Sequence, residues 1–237
     1  MEYHTDQEKA IVNYGDPKRI RSVMQRAQEG KPVCLAFLGG SITQGYHSSV
    51  HDKCYAKRVH SWWQERFPLS ETTYINAGIG GTTSQYGVAR VDADVMAYRP
   101  DLVFVEFSVN DEANEFYQET YEGLIRHILN YELSDEERRW KPAVLIIHTI
   151  KYDDGICAED LHLPVGKHYG LPCVSMRASL YAAMKEGHFG SRDITKDDLH
   201  PNDEGHGLMA DMITYCLEKI ARSLMRRLRP QMYYQHR

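Results

Sequence analysis

Val33-Cys34-Leu35-Ala36-Phe37-Leu38-Gly39-Gly40-Ser41-Ile42-Thr43 is an apolar run that stops at a glycine pair and a serine. Six consecutive apolar residues closed by glycine read as a strand buried on both faces. Such strands belong to parallel sheets covered by helices, and open α/β sheets bind ligands at the carboxyl ends of their strands. Gly39 and Gly40 permit a sharp turn there and leave space for a substrate to reach the Ser41 hydroxyl. Taken alone, Ser41 reads more simply as the cap of the next helix, because serine is a preferred N-cap.

The remainder of the chain alternates in the same way. Strand patterns fall at 33–38, 73–77, 102–107 and 143–149, with a weaker one at 171–175. Helical patterns fall at about 55–67, 84–98, 115–131 and 177–185. Asp16-Pro17 opens a first helix that Gly30 stops, and a last helix runs over about 203–228. Alternation of this kind predicts an α/β fold around a mainly parallel sheet. No internal repeat, low-complexity tract or linker interrupts it, so one domain over 1–237 is expected. The charged stretch Ser134-Asp135-Glu136-Glu137-Arg138-Arg139 fits a surface loop or helix end.

Composition excludes several classes. At 237 residues the chain can bury a substantial core, and its net charge of −5 gives no electrostatic case for nucleic acid. Arg222, Arg226, Arg227 and Arg229 form a basic cluster that suits the negative end of a helix dipole. No run of 18 apolar residues is present, and the polar start has no signal-peptide core, so a cytoplasmic protein is expected. The five cysteines are widely spaced without CxxC, which suggests neither zinc nor a disulfide framework. Cys34 and Cys173 sit in apolar runs and read as core.

Three further segments carry chemistry. After the second strand comes Gly78-Ile79-Gly80-Gly81-Thr82-Thr83-Ser84, where glycines allow backbone N–H groups to face a pocket, or merely form a flexible turn. The third strand ends in Ser108-Val109-Asn110-Asp111, where Asn110 can donate its amide to an oxyanion or simply shape a turn. Near the end stands Asp197-Asp198-Leu199-His200. An aspartate three residues before a histidine can accept from Nδ1–H and leave Nε2 free as a base. Each segment alone is weak; a nucleophile, oxyanion donors and an Asp–His pair in one chain meet the requirements of acyl transfer by a serine enzyme.

In these four blocks the sequence resembles the SGNH hydrolases, often called GDSL-like esterases. The blocks matched are Gly39-Gly40-Ser41, Gly78-Ile79-Gly80-Gly81, Ser108-Val109-Asn110-Asp111 and Asp197-Asp198-Leu199-His200. The resemblance implies Ser41 as nucleophile, His200 as base and Asp197 as the acid that orients the histidine, with Asp198 as the alternative acid. It implies oxyanion donors in the backbone N–H groups of Ser41 and Gly81 and the side chain of Asn110. It implies a three-layer α/β/α sandwich around a five-stranded parallel sheet. Gly40 departs from the family's aspartate and Ser108 from its glycine.

The expected activity is ester hydrolysis through an acyl-serine, with no metal and no organic cofactor. The loops carry Gln44, Tyr46, His47, Ser48 and Ser49, then Thr82, Thr83 and Ser84, then Asp111, Glu112 and Asn114. Within the family that the sequence resembles, such polar entrances imply short acyl groups on an acetylated sugar or oligosaccharide, where a long-chain lipase would want an apolar funnel or lid. Trp62 and Trp63 lie mid-helix, where at least one reads as core; His206 reads as a packing residue, and His47 and His51 as loop residues. Rival readings are an acyltransferase on the same scaffold and a non-catalytic carbohydrate-binding module. A flavodoxin-like nucleotide binder fits poorly, because the glycine block lacks both GxGxxG and a P-loop lysine.

Overall fold

A computed structural model of the chain describes residue 3 and residues 5–232, with side chains described up to residue 224. In chain order its elements begin with β1 (Ile11–Asn13), α1 (Lys18–Gln28), β2 (Val33–Gly39), α2 (Ser41–Gln44), α3 (Tyr55–Arg66) and β3 (Thr72–Gly78). They continue with α4 (Ser84–Asp94), β4 (Leu102–Glu106), α5 (Glu115–Asn130), β5 (Leu133–Ser134), β6 (Arg139–Trp140) and β7 (Ala143–His148). The last are α6 (Glu159–His168), β8 (Cys173–Ser175), α7 (Ala182–Lys185), α8 (Ser191–Ile194) and α9 (Asp203–Met232).

The sheet order is β1-β8-β7-β4-β2-β3. The five strands from β8 to β3 are parallel and correspond to the five strand patterns of the sequence. A sixth, β1, adds antiparallel to the β8 edge through Ile11 and Asn13. Its three residues carry too little pattern to be found in advance. Strand residues alternate between two cores, as a pleated sheet covered on both faces requires. Leu35, Phe37, Leu102, Phe104 and Leu145 face one core with residues of α1, α3 and α9. Ala36, Leu38, Val103, Val105 and Ile146 face the other with residues of α4, α5 and α6. Phe37 and Phe104 stack at 4.4 Å between centroids, and burying each side chain stabilises the fold by about 1.5–3 kcal/mol.

Most helices fall where the pattern put them. The 84–98 pattern divides into α4 and a short 3₁₀ turn at Met96–Tyr98, and 177–185 into a π turn and α7. Helix α6 escaped because Pro164 lies inside it. The stretch 134–139 is the connection of a small hairpin, β5 paired with β6. Trp63 is fully buried while Trp62 packs at the core's margin, and Cys34 and Cys173 are buried. Arg222 pairs with Glu218 at 3.1 Å; Arg226, Arg227 and Arg229 lie outside the residues whose side chains are described. Among the described residues no helix is long and apolar enough to cross a membrane.

Candidate active site

Register brings the sequence blocks together. Gly39 at the end of β2 pairs with Gly78 of β3 on one side and with Glu106 of β4 on the other. Parallel strands that end level deliver their following loops to one edge, so the Ser41 turn, the glycine block and the Asn110 segment lie side by side. Contact there is close. A Cβ on Gly78 would fall 2.1 Å from the Gln44 nitrogen, and one on Gly80 would fall 3.7 Å from Ser41 Cβ. Gln44 Oε1 accepts the Gly80 N–H at 3.0 Å and stitches the two loops.

His200 arrives from the far end of the chain. Its loop is closed by a bridge between Thr195 and Pro201 and by Asn202 N–H donating to the Ile194 carbonyl at 3.0 Å. This places His200 Nε2 2.9 Å from Ser41 Oγ. The other ring nitrogen, Nδ1, stands 2.6 Å from Asp197 Oδ2. Asp197 Oδ1 accepts the His200 backbone N–H at 2.7 Å and that of Leu199 at 3.2 Å. Partial burial works against the Asp197 charge, but these donors and the imidazole prevail and pull its carboxyl down to about 2. Asp197 therefore stays ionised throughout the pH range in which a histidine base operates. Asp198 is turned away: it adopts φ +65° and accepts from Ser191 Oγ at 2.6 Å and Arg192 at 2.8 Å.

Asn110 is half-buried after β4, and its Oδ1 is buried without a hydrogen-bond partner among the described residues. That oxygen lies against the serine turn: a Cβ on Gly40 would stand 2.7 Å from it. The glycine at 40, where the family pattern has aspartate, is thus what lets the Asn110 amide tuck beside Ser41. Gly81 has φ +71°, the left-handed region that favours glycine, and a Cβ there would meet nothing within 4 Å. The space beside the Gly81 Cα is therefore open. The second departure, Ser108, turns inward. Its fully buried hydroxyl donates to the Thr149 carbonyl at 2.9 Å and accepts the Thr149 N–H at 2.7 Å, tying β4 to the end of β7.

Several residues of the site were not anticipated. Glu106, the charged end of an otherwise apolar strand, is fully buried beneath the serine turn; that lone charge was the available signal. Arg90 donates to the Ala77 and Gly39 carbonyls at 2.7 and 3.0 Å and fastens the ends of β3 and β2. Asp111 and Ser84 are buried, with Ser84 N–H donating to Asp111 Oδ1 at 2.8 Å, so neither lines a polar entrance. The exposed rim includes Tyr46 and Ile79. His206 is a packing residue: its Nδ1 accepts the Tyr55 N–H at 3.3 Å, and burial lowers it to about 4. His47 differs from a plain loop residue, for its Nε2 lies 3.7 Å from Asp197 Oδ2. His47, Asp197 and His200 present ligand atoms within 4.8 Å of one another. A cation there would have to take the carboxylate oxygen that holds the His200 Nδ1 proton, which does not suit a resident metal.

A hydroxyl, an imidazole and a carboxylate bonded in series at the carboxyl edge of a parallel sheet form the arrangement by which serine hydrolases activate a nucleophile. Residues 37–208 match the GDSL-like Lipase/Acylhydrolase family, and the chain belongs to it. A two-domain esterase active on acetylated mannans has a crystal structure that superposes with a TM-score of 0.86 at 48% identity. The match covers 92% of this chain and 57% of that one, so the present chain spans little more than half of the two-domain protein. The thioesterase 1/protease 1/lysophospholipase L1 of Escherichia coli K12 is 25% identical over 191 residues, which cover 78% of this chain and 84% of the relative. An acetylxylan esterase of Xylanibacter ruminicola is 22% identical over 219 residues, covering 78% of this chain and 43% of the relative.

Proposed function

We propose that the chain is a serine esterase that removes acetyl groups from carbohydrates, with residues 1–237 acting as one catalytic domain. The observation that carries this reading is the unbroken series Ser41 Oγ, His200 and Asp197 at 2.9 and 2.6 Å. His200 Nε2 takes the Ser41 proton as Oγ bonds to the ester carbonyl carbon. The oxyanion so formed accepts from the Ser41 and Gly81 N–H groups and from the side-chain amide of Asn110. The C–O bond to the sugar breaks as His200 returns the proton to the leaving alkoxide. Water then attacks the acetyl-serine by the same route, releasing acetate and restoring the Ser41 hydroxyl. No step calls for a metal or cofactor.

The substrate class rests on the 48% identity to the esterase active on acetylated mannans, over 92% of this chain. The open space at Gly81 and the exposed Tyr46, whose ring lies 4.7 Å from that of His200, suit a small acyl group beside a sugar ring. Acetate release from acetylated mannan and acetylated xylan oligosaccharides, followed by mass spectrometry, tests it; unaltered oligosaccharides would contradict it. Across p-nitrophenyl esters, kcat/KM is expected to be highest for acetate and to fall with chain length. Greater activity on octanoate would reject the short-acyl reading.

Gly40→Ala probes the fit between the serine turn and Asn110. The backbone at 40 has a negative φ of −90°, so alanine meets no left-handed strain there and the fold should persist. The new methyl would displace the Asn110 amide and lower kcat by about tenfold or more, because sub-ångström displacement of a donor is costly. Steady-state kinetics on p-nitrophenyl acetate would show it, and unchanged kcat would dissociate Gly40 from the oxyanion donors.

A further inference from the structure

Glu106 is a fully buried carboxylate that the proposed mechanism leaves without a task. Its Oε2 accepts from Thr43 Oγ1 at 3.1 Å, and its Oε1 accepts from Thr149 Oγ1 at 2.5 Å. It also accepts the backbone N–H of Gly40. Thr43 Oγ1 lies 2.8 Å from the Tyr55 hydroxyl, which extends the network into α3. Donors therefore converge on Glu106 from immediately before Ser41, from two residues after it, and from the strand end that Ser108 also grips. Three donors aimed at one side chain call for an acceptor-only group, which is the ionised carboxylate.

We propose that ionised Glu106 is the positioning residue of the nucleophile turn, holding Gly40 and Thr43 so that Ser41 Oγ meets His200 and the Ser41 N–H faces the oxyanion. The inference rests on the reading of Ser41 as nucleophile. It supplies the brace that Gly40, lacking a side chain, cannot supply itself.

Burial also makes the charge of Glu106 sensitive to pH. Burial pushes Glu106 up to about 6 even though Thr149, Thr43 and Gly40 donate to it. Tyr55, Tyr121 and Asp111 are within electrostatic reach, and none supplies positive charge. Arg90 spends its guanidinium on the Ala77 and Gly39 carbonyls and on Asp94. A carboxyl whose folded value lies above its ordinary 4.5 is penalised when ionised, so this group lowers stability as pH rises from about 4.5 to about 6.

The test compares Glu106→Gln, Glu106→Leu and wild type on p-nitrophenyl acetate from pH 5 to pH 8.5, with melting temperatures and fluorophosphonate labelling of Ser41. Glutamine keeps an oxygen for Gly40 but loses the charge, and kcat at pH 8 should fall about tenfold with KM within threefold. Its melting temperature at pH 8 should equal or exceed that of wild type. The wild-type to Gln kcat ratio should shrink below pH 6, because wild-type Glu106 is then itself neutral. Leucine accepts nothing and should cost about a hundredfold. If Ser41 is labelled and Glu106→Gln matches wild type within twofold at pH 8, this inference alone is overturned. A ratio constant with pH, or a lower melting temperature that accounts for the lost activity, would also overturn it. An unlabelled wild-type Ser41 would overturn the site reading together with it.

Discussion

Ser41→Ala is expected to lower kcat on p-nitrophenyl acetate by about 10⁴–10⁶, the scale on which serine enzymes lose turnover when the nucleophile is removed. KM should stay within about threefold, because the hydroxyl contributes to bond formation and little to ground-state binding. Unfolding cannot mimic this result. The Ser41 hydroxyl has His200 as its side-chain partner, and losing one such bond costs about 1 kcal/mol, or about 2–4 °C in Tm for a chain of this size. A thermal melt beside the kinetics separates the two effects. Turnover within tenfold of wild type would remove Ser41 from the chemistry.

Asn110→Ala is expected to cost about 10²–10³ in kcat, the usual effect of removing one oxyanion donor, or about 2.7–4 kcal/mol of transition-state stabilisation. Its effect on stability should be small or favourable. Asn110 Oδ1 is buried without a partner, and deleting such an atom relieves a desolvation cost rather than breaking a bond. A side chain kept at some cost to the fold is expected to act on a substrate. Full turnover in the alanine variant would assign the oxyanion to backbone donors alone, and a large fall in Tm would make Asn110 structural.

The opening run and its glycine stop were legible as a parallel strand because burial on both faces leaves no polar alternation, and β2 is buried at every residue. The same logic located β4, β7 and β8, which are buried at every residue, whereas β3 at the sheet edge is mostly half-buried. Strand β1 and the β5–β6 hairpin were not legible, since two or three residues hold no period and depend on the neighbour they pair with. The four chemical blocks were readable as residue types in order. Their union was legible only through the family resemblance, because in the structure it depends on Gly39, Gly78 and Glu106 ending level across three strands.

The supporting residues were hidden for a different reason. Asp111 carries a charge and follows a strand, so it reads as a pocket residue, yet burial against Ser84 and His162 makes it part of the frame. His47 meets Asp197 from 150 positions away, a proximity that no local spacing encodes. Glu106 was visible as a charge at the end of an apolar strand, and only the folded turn reveals that Gly40 and Thr43 donate to it.

Covalent labelling by a fluorophosphonate, read by peptide mass spectrometry, tests the central claim most directly. The probe phosphonylates a serine only where a base activates the hydroxyl and an oxyanion site receives the phosphoryl oxygen. One adduct on the peptide containing Ser41, blocked by prior incubation with substrate and lost in His200→Ala, is the predicted result. A chain that takes no label, or that takes it on another serine while still cleaving p-nitrophenyl acetate, would contradict the account.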